Sequence, residues 1–395
     1  MTRTPEARIK PELLVWARAS AGLEVRDAAR KIGVKEERLS SWETGETNPS
    51  VAQLRKAGEV YKRPLAVFFL SEAPADFQPL TDFRRLPATA QAMWSPALRL
   101  AVRRAQFQQD AAAELYAALD EDIPDLPSPE LSEDHPEEAG QLVRELLAVD
   151  LSEQSSWATP RDALRGWVTA VEELGILVLQ VQGVERGEMR GFSLAAGSVP
   201  AVVLNGSDAP AGKLFTVIHE LTHLLLHRSG VCDLHDRASG SPADAVELFC
   251  NAVAAAVLLP AEAFRSEPAL AGHAPPTAWD DEIIEALAQK YSVSREVVVR
   301  RLWSFDLTSW TFLQAKTRAY RDEYERQRRE AGSAPGGPTF FRMRVRDYGR
   351  PYIRLALEAY HRDEINAAQL SGYIEVKLNK LDKLEEELIG SGASR

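Results

Sequence analysis

Residues 214–227, LFTVIHELTHLLLH, decide how the centre of this chain is interpreted. They are apolar on all sides at helical spacing, which predicts a buried helix over about residues 211–227. His219 and His223 lie four residues apart, so both imidazoles share one face and can reach one metal ion. Glu220 lies about 100° around the helix axis. This H-E-x-x-H pattern predicts zinc bound by the two histidines, with Glu220 as the general base of a peptidase.

A catalytic zinc ion normally has three protein ligands and one open position, so a third ligand is expected nearby. The best candidate is Glu247, on a second apolar helix predicted at about residues 242–259, because an unpaired carboxylate is costly to bury there. Packed antiparallel to the first helix, this helix would bring Glu247 to the histidine pair. The alternative is that Glu247 is a charge at a helix start, favoured by the helix dipole.

Four further residues near the motif are weaker candidates. His227 is interpreted either as a residue that supports the metal ligands or as an ordinary exposed histidine. Cys232 and His235 follow the helix closely and are candidates for the open zinc position, where a thiolate would act as an off-switch. An inert, buried cysteine is the alternative. Asn251 is expected either to orient Glu247 or to cap backbone groups.

Residues 9–70 show a different pattern, of short helices separated by tight turns. Predicted helices at about residues 25–32 and 35–44 end at Gly33 and Gly45. In the second of these, Leu39 and Trp42 face inward. The outward-facing residues are Lys35, Glu36, Arg38 and Ser41. Residues 1–70 carry a net charge of +4, which leaves −15 for the remainder and favours a small basic module on an acidic body.

The motif HELTHLLLH at 219–227, together with E-x-x-x-N-x-x-A-x-x-x-L-x-P at 247–260, resembles the ImmA/IrrE family of metallopeptidases over about residues 140–270. The resemblance implies that His219, His223 and Glu247 bind zinc and that Glu220 is catalytic. Where the family usually has Ala and Phe, this chain has Cys250 and Val253, which are packing changes.

Members of that family cleave a repressor or antitoxin protein in response to DNA damage, oxidative stress or phage signals. The resemblance therefore implies a protein substrate of this kind. An extended substrate is expected to pair with an edge strand such as residues 199–204.

Residues 9–70 resemble the Cro-like (XRE-type) helix-turn-helix through Ala28-Ala29, Gly33-Val34, the Trp42-Glu43-x-Gly45 signature and Asn48-Pro49-Ser50. The resemblance implies that the helix from about Lys35 enters the major groove of DNA, with the outward-facing Lys35, Glu36, Arg38 and Ser41 as the candidates for DNA contact. A protein-interaction or dimerisation module of the same fold is the alternative. Two departures are Val25, where the fold often has Gln, and the acidic start of the reading helix, which weakens attraction to phosphate.

We therefore predict a mainly α, multidomain protein of five segments. They are a five-helix helix-turn-helix domain at 1–72, a linker and connecting helix at 73–139, a zincin-like α+β peptidase domain with a small sheet at 140–270, a helical segment similar to a helix-turn-helix at 271–331 and a helical C-terminal region at 332–395. The two cysteines, the lack of a long apolar run and the lack of a secretory signal favour a cytoplasmic protein that does not enter a membrane.

The leading prediction is a zinc-dependent endopeptidase of the gluzincin type fused to a DNA-binding domain, acting in a stress or defence response. Its expected partners are a repressor or antitoxin and DNA, with a homodimer as a further candidate. Two alternatives stay open, namely a transcription regulator whose zinc site is sensory or vestigial and a toxin–antitoxin component that works by binding alone. The intact Glu220 favours the enzyme, because a binding-only site does not need a base.

Overall fold

The structure is a computed structural model, which describes residues 7–61, 63, 65–70, 81–82, 94–227, 230–232, 242–273, 275–331 and 338–390. Its many helices and one small sheet confirm the predicted mainly α, multidomain class. The chain divides into two units. One comprises Met1–Leu80 and Leu86–Arg104, and the other Thr81–Arg85 and Ala105–Arg395.

The first unit contains the predicted five short helices. They are α1 (Pro11–Ser20), α2 (Val25–Ile32), α3 (Glu36–Glu43), α4 (Val51–Tyr61) and a 3₁₀ turn at Leu65–Phe69. Gly33 ends α2 in the left-handed conformation, with a φ of 84°, which turns the chain sharply into α3. Leu14, Leu39 and Trp42 are buried in the core of this unit. The Arg18 guanidinium donates two hydrogen bonds, of 2.7 and 2.9 Å, to the Glu43 carboxylate and so ties α1 to α3.

Helix α5 (Pro96–Ala118) contains the boundary between the units, after Arg104. The further helices are α6 (Pro136–Leu146), α7 (Leu151–Ser156), α8 (Pro160–Glu172), α9 (Pro210–Leu225), α10 (Pro242–Leu258), α11 (Ala261–Arg265), α12 (Asp281–Lys290), α13 (Arg295–Ser304), α14 (Trp310–Ala331), α15 (Phe340–Tyr348), α16 (Arg350–His361), α17 (Ala367–Ile374) and α18 (Leu381–Gly390). Among the described residues, no helix is both long enough and apolar enough to cross a membrane.

The sheet of the second unit has five described strands in the order β1-β5-β3-β4-β2. They are β1 (Thr81–Asp82), β2 (Leu177–Val181), β3 (Gly191–Leu194), β4 (Ala201–Asn205) and β5 (Gly230–Cys232). Strand β4 pairs with β2 in parallel and with β3 in antiparallel orientation. The expectation that residues 199–204 form an edge strand is therefore wrong. Every residue of β4 is buried, and such a continuous apolar run is typical of an interior strand.

Helix α9 packs against the sheet between α8 and α10. All thirteen of its residues from Lys213 to Leu225 are buried. This explains why its sequence is apolar on every side. The helix is thereby held rigidly from three directions.

The carboxyl end of α10 lies inside the protein, where its last carbonyl groups need donors. Three side chains supply them. Arg144 donates to the Val257 oxygen at 2.6 Å, Gln154 to the Leu258 oxygen at 2.9 Å and Arg301 to the Leu259 oxygen at 2.8 Å. Arg301 is also paired with both carboxylate oxygens of Glu137. We refer to Arg144, Gln154 and Arg301 as the α10 caps.

The hydrophobic core of the second unit runs from Ala139 to Leu313 and includes apolar residues on both sides of position 270. Val253 of α10 and Val298 of α13, for example, belong to the same buried cluster. The helices α12 and α13 therefore share a core with α9 and α10.

Candidate metal centre

The side chains of His219, His223 and Glu247 meet where α9 packs against α10. The two Nε2 atoms lie 3.2 Å apart. Glu247 Oε1 lies 2.9 Å from His223 Nε2, and Glu247 Oε2 lies 3.4 Å from His219 Nε2. All three side chains are completely buried. Within the described part of the chain, they form the single group whose ligand atoms, all within 4.8 Å of one another, could hold a metal ion.

The spacing of these atoms fits a zinc ion. Zinc binds histidine nitrogen at about 2.0–2.1 Å in tetrahedral geometry, which places neighbouring ligand atoms about 3.3 Å apart. The shortest distances between the two Nε2 atoms and the two carboxylate oxygens of Glu247 range from 2.9 to 3.4 Å. Two imidazoles and a carboxylate are also a ligand set that catalytic zinc sites use.

The cluster is electrostatically suited to a cation. Burial alone would raise the pKa of Glu247, but the neighbouring His219 and His223 outweigh it and hold that pKa below its usual range. Burial alone would lower the pKa of His219, but Glu247 outweighs it and raises that pKa. The carboxylate is thus anionic and compensates positive charge at this position. Glu247 lies in the second turn of α10 and faces the histidines, away from the helix start.

Glu220 is completely buried on the side of α9 that faces β3. The backbone of Gly191 in β3 approaches it closely. A Cβ atom at position 191 would lie 3.0 Å from Glu220 Oε1 and 2.5 Å from Thr216 Cγ2. Only glycine permits this approach, so Gly191 helps to set the position of the glutamate. The sequence interpretation missed this residue, because nothing in its neighbours indicates which helix the strand will meet.

The family comparisons agree with this geometry. A model of the IrrE N-terminal-like domain, of the M78 peptidase family, matches residues 171–303. Residues 171–303 are thus similar to this domain. A helix-turn-helix model matches residues 14–68, so both resemblances are confirmed. No curated protein matches the chain.

The matched region begins within α8, ends within α13 and contains the whole metal cluster. The chain therefore combines a helix-turn-helix domain with a metallopeptidase-like domain. Since the matched region extends to residue 303, it includes α12 and α13, which share the core of α9 and α10.

Replacing Gly191 with Ala should displace Glu220 without disturbing the metal ligands. A misplacement of about 1 Å can lower a catalytic rate by about 10²-fold, so we expect kcat/KM to fall by about that factor while metal content is unchanged. Gly187→Ala is the matched control, because a Cβ there meets nothing within 4 Å. Equal activities of the two variants on a protein that the wild type cleaves would show that Gly191 has no positioning role.

Of the remaining candidates, Asn251 lies next to the metal cluster and His227 does not. Asn251 lies beside His219, and its hydrogen bonding contributes to raising the pKa of that histidine, after burial and Glu247. The chain leaves the helix after Leu225, so His227 does not share the helix face; it is exposed, with Nε2 3.2 Å from Ser128 Oγ. The side chain of Cys232 and the whole of His235 lie outside the described residues.

Three of the four candidate DNA contacts are exposed at the start of α3. Lys35 precedes the helix, and Glu36 and Arg38 lie in its first turn. Ser41 is half-buried; its hydroxyl donates to the Arg38 carbonyl at 2.9 Å and lies 2.7 Å from Thr47 Oγ1. The cationic side chains available for phosphate contact on this helix are therefore Lys35 and Arg38.

Proposed function

We propose that the chain is a zinc-dependent endopeptidase in which His219, His223 and Glu247 bind the metal and Glu220 is the general base. The observation that carries this proposal is the convergence of three buried ligand atoms within 4.8 Å. Glu220 follows the first ligand directly on the same helix, and a site that only held a metal would not need it. The match of residues 171–303 to a peptidase family model supports the assignment.

The proposed zinc ion, Glu220 and Gly191 have separate roles in peptide hydrolysis. When bound, zinc supplies a Lewis acid that polarises the scissile carbonyl and activates water at neutral pH. The Glu220 carboxylate accepts a proton from the attacking water as its oxygen bonds to the carbonyl carbon. Glu220 then returns that proton to the amide nitrogen as the carbon–nitrogen bond breaks, which lets the amine leave. Gly191 keeps β3 close to Glu220 and so limits its movement.

The burial of the site supports regulated activity. His219, Glu220, His223 and Glu247 are all 0% exposed. A deeply buried site of this kind suits an enzyme that cleaves a repressor or antitoxin only when a signal arrives, and the helix-turn-helix domain would bring the enzyme to DNA where a repressor acts.

The direct test is the metal content of the purified chain. We expect about one zinc ion per wild-type chain and much weaker binding by Glu247→Ala. Loss of a residue that merely supports a metal ligand costs 10–100-fold in affinity, so loss of the ligand itself should cost more than about 100-fold. Glu262→Ala, at an exposed acidic position just after α10, is the control. A wild type that binds no zinc, or a Glu247 variant that binds it as well as the control, would refute the assignment.

We also propose that the first unit binds DNA through α3. The observation that favours this is the exposure of Lys35 and Arg38 in the domain that matches the helix-turn-helix model. A DNA-binding regulator with a sensory or vestigial metal site remains the second candidate function, and the Glu220 variant discussed below separates it from the enzyme.

DNA binding should depend on salt and on these two cations. Each lost phosphate contact lowers the slope of log affinity against log salt by about 0.9, so reversing both charges should lower it by about 2. The test compares Lys35→Glu/Arg38→Glu with Lys380→Glu/Lys383→Glu, which makes the same charge change at exposed positions of the C-terminal region. The same slope and affinity in both double variants would exclude α3 as the DNA-binding element.

A further inference from the structure

A cavity lies one helical turn away from the metal cluster. Its volume is about 260 Å³. This is room for roughly nine water molecules at about 30 Å³ each, or for a small metabolite. Phe215, four residues before His219, and Asn251, four residues after Glu247, form part of its wall. The metal ligands themselves do not line it.

The charges that line this cavity are predominantly positive. Its cationic residues are Arg186, Arg190, Arg295, Arg300 and Arg321, and its acidic residues are Asp208, Glu296 and Glu323. The net charge of the lining is therefore +2, in a chain whose net charge is −11. The first turns of α9 and α13 also border the cavity, and the amino end of a helix carries partial positive charge.

The acidic residues that line the cavity do not form close ion pairs with all of its arginines. Arg186 and Arg190 approach the Asp208 carboxylate only to 3.5 and 3.9 Å, which is longer than a hydrogen bond. The charge of Arg321 acts on the Glu296 carboxylate, but among the described residues Arg321 makes no hydrogen bond and no ion pair within 4.0 Å. Guanidinium donors of three arginines are thus available to a ligand in the cavity.

The arginines also repel one another. Burial, followed by the charges of Arg190 and Arg321, lowers the pKa of Arg300 to about 9. An anion bound among these side chains would relieve the repulsion. Its geometry would suit a phosphate, whose oxygens accept paired guanidinium hydrogen bonds.

Asp208 indicates that the ligand also carries a hydrogen-bond donor. Its side chain is 4% exposed and lines the cavity, and its Oδ2 atom has no hydrogen-bond partner among the described residues. A buried carboxylate oxygen without a donor is costly. A ligand that satisfies both features carries a phosphate for the arginines and a hydroxyl group that donates to Asp208.

We propose that this cavity is a binding site for a small phosphorylated metabolite that carries hydroxyl groups, such as a sugar phosphate. The recessed position of the arginines favours a small molecule over a nucleic acid, since the side chains of Arg186, Arg190 and Arg300 are 20, 25 and 20% exposed. The proposal does not depend on the peptidase activity. A ligand here would lie against both helices that carry the metal ligands.

The test uses the full chain and isothermal titration with ribose 5-phosphate, inorganic phosphate and ribose. We expect ribose 5-phosphate to bind at least tenfold more tightly than inorganic phosphate, and ribose alone not to bind. Measurable binding of neither phosphate compound would overturn the proposal. So would tighter binding of citrate or of an acidic peptide than of ribose 5-phosphate, because the cavity would then be a carboxylate site.

Two variants test which cavity residue binds the phosphate of the ligand and which binds its hydroxyl group. Arg321→Ala should weaken binding of both phosphate compounds about tenfold, and its melting temperature should be that of the wild type because Arg321 is exposed and makes no bond among the described residues. Arg326→Ala, exposed on the same helix but outside the cavity, is the matched control. Asp208→Ala should abolish the preference for ribose 5-phosphate over phosphate. Equal binding by the Arg321 and Arg326 variants, or an undiminished preference in Asp208→Ala, would contradict the proposed site.

Discussion

Replacing Glu220 with Gln should lower the rate of peptide cleavage by about 10²–10⁴-fold, the usual contribution of a general base. The amide has the same shape as the carboxylate but cannot accept the proton of the attacking water. Glu220 is not among the three residues whose ligand atoms converge, so the metal should remain bound. The measurements are the zinc content and the rate at which a protein substrate of the wild type is cleaved.

Glu262→Gln makes the same chemical change at an exposed position and should retain full activity. If Glu220→Gln cleaves as fast as this control, the metal centre does not act through Glu220 and the sensory alternative is favoured. If the Glu220 variant instead loses its zinc, the glutamate has a structural role in the cluster. The proposed assignment of Glu220 as a general base that does not hold the metal is then wrong.

Replacing Glu137 with Ala should lower the free energy of unfolding by about 3 kcal/mol. Arg301 is 1% exposed, and Glu137 is the carboxylate that compensates its charge. Breaking a buried ion pair from one side costs about 3–5 kcal/mol, because the other charge stays buried. The lower end applies here, since the Glu137 side chain is 43% exposed and water can replace part of it. Chemical denaturation of the full chain measures the change.

Glu138→Ala is the matched control, because Glu138 is an exposed acidic residue in the same first turn of α6. Its effect should stay within about 0.5 kcal/mol, as for most surface substitutions. If the two variants are equally stable, Arg301 does not depend on Glu137. A metal titration of Glu137→Ala should also show weaker binding, since Arg301 caps the helix that carries Glu247.

The elements that local spacing determines were predictable from the sequence. The two histidines and Glu220 followed from positions on one helical turn, and Glu247 followed from the cost of burying a carboxylate. The helix predicted at about residues 211–227 is α9 (Pro210–Leu225), and the one predicted at about 242–259 is α10 (Pro242–Leu258). The interpretation of His227 as a residue that supports the metal ligands depended on two further helical residues, and the helix ends before them, which leaves His227 exposed as in the alternative interpretation.

The features that depend on distant parts of the chain were not predictable. Strands β1 and β5 have two and three residues, too few to show a periodic pattern. The interior position of β4 depends on its pairing with β2. The contacts of Arg144, Gln154 and Arg301 with the end of α10 span 113, 104 and 42 residues of sequence. Gly191 is equally dependent on a neighbour that only the fold brings close.

The α10 caps are synthesised at different times relative to α10 itself. Arg144 and Gln154 precede α10 in the chain, but Arg301 is made 42 residues after the carbonyl it binds. The helix that carries Glu247 therefore cannot complete its hydrogen bonds until α13 has left the ribosome. The proposed zinc ion should accordingly bind tightly only after that point, so a nascent chain that stops short of α13 should bind the metal more weakly than the full chain.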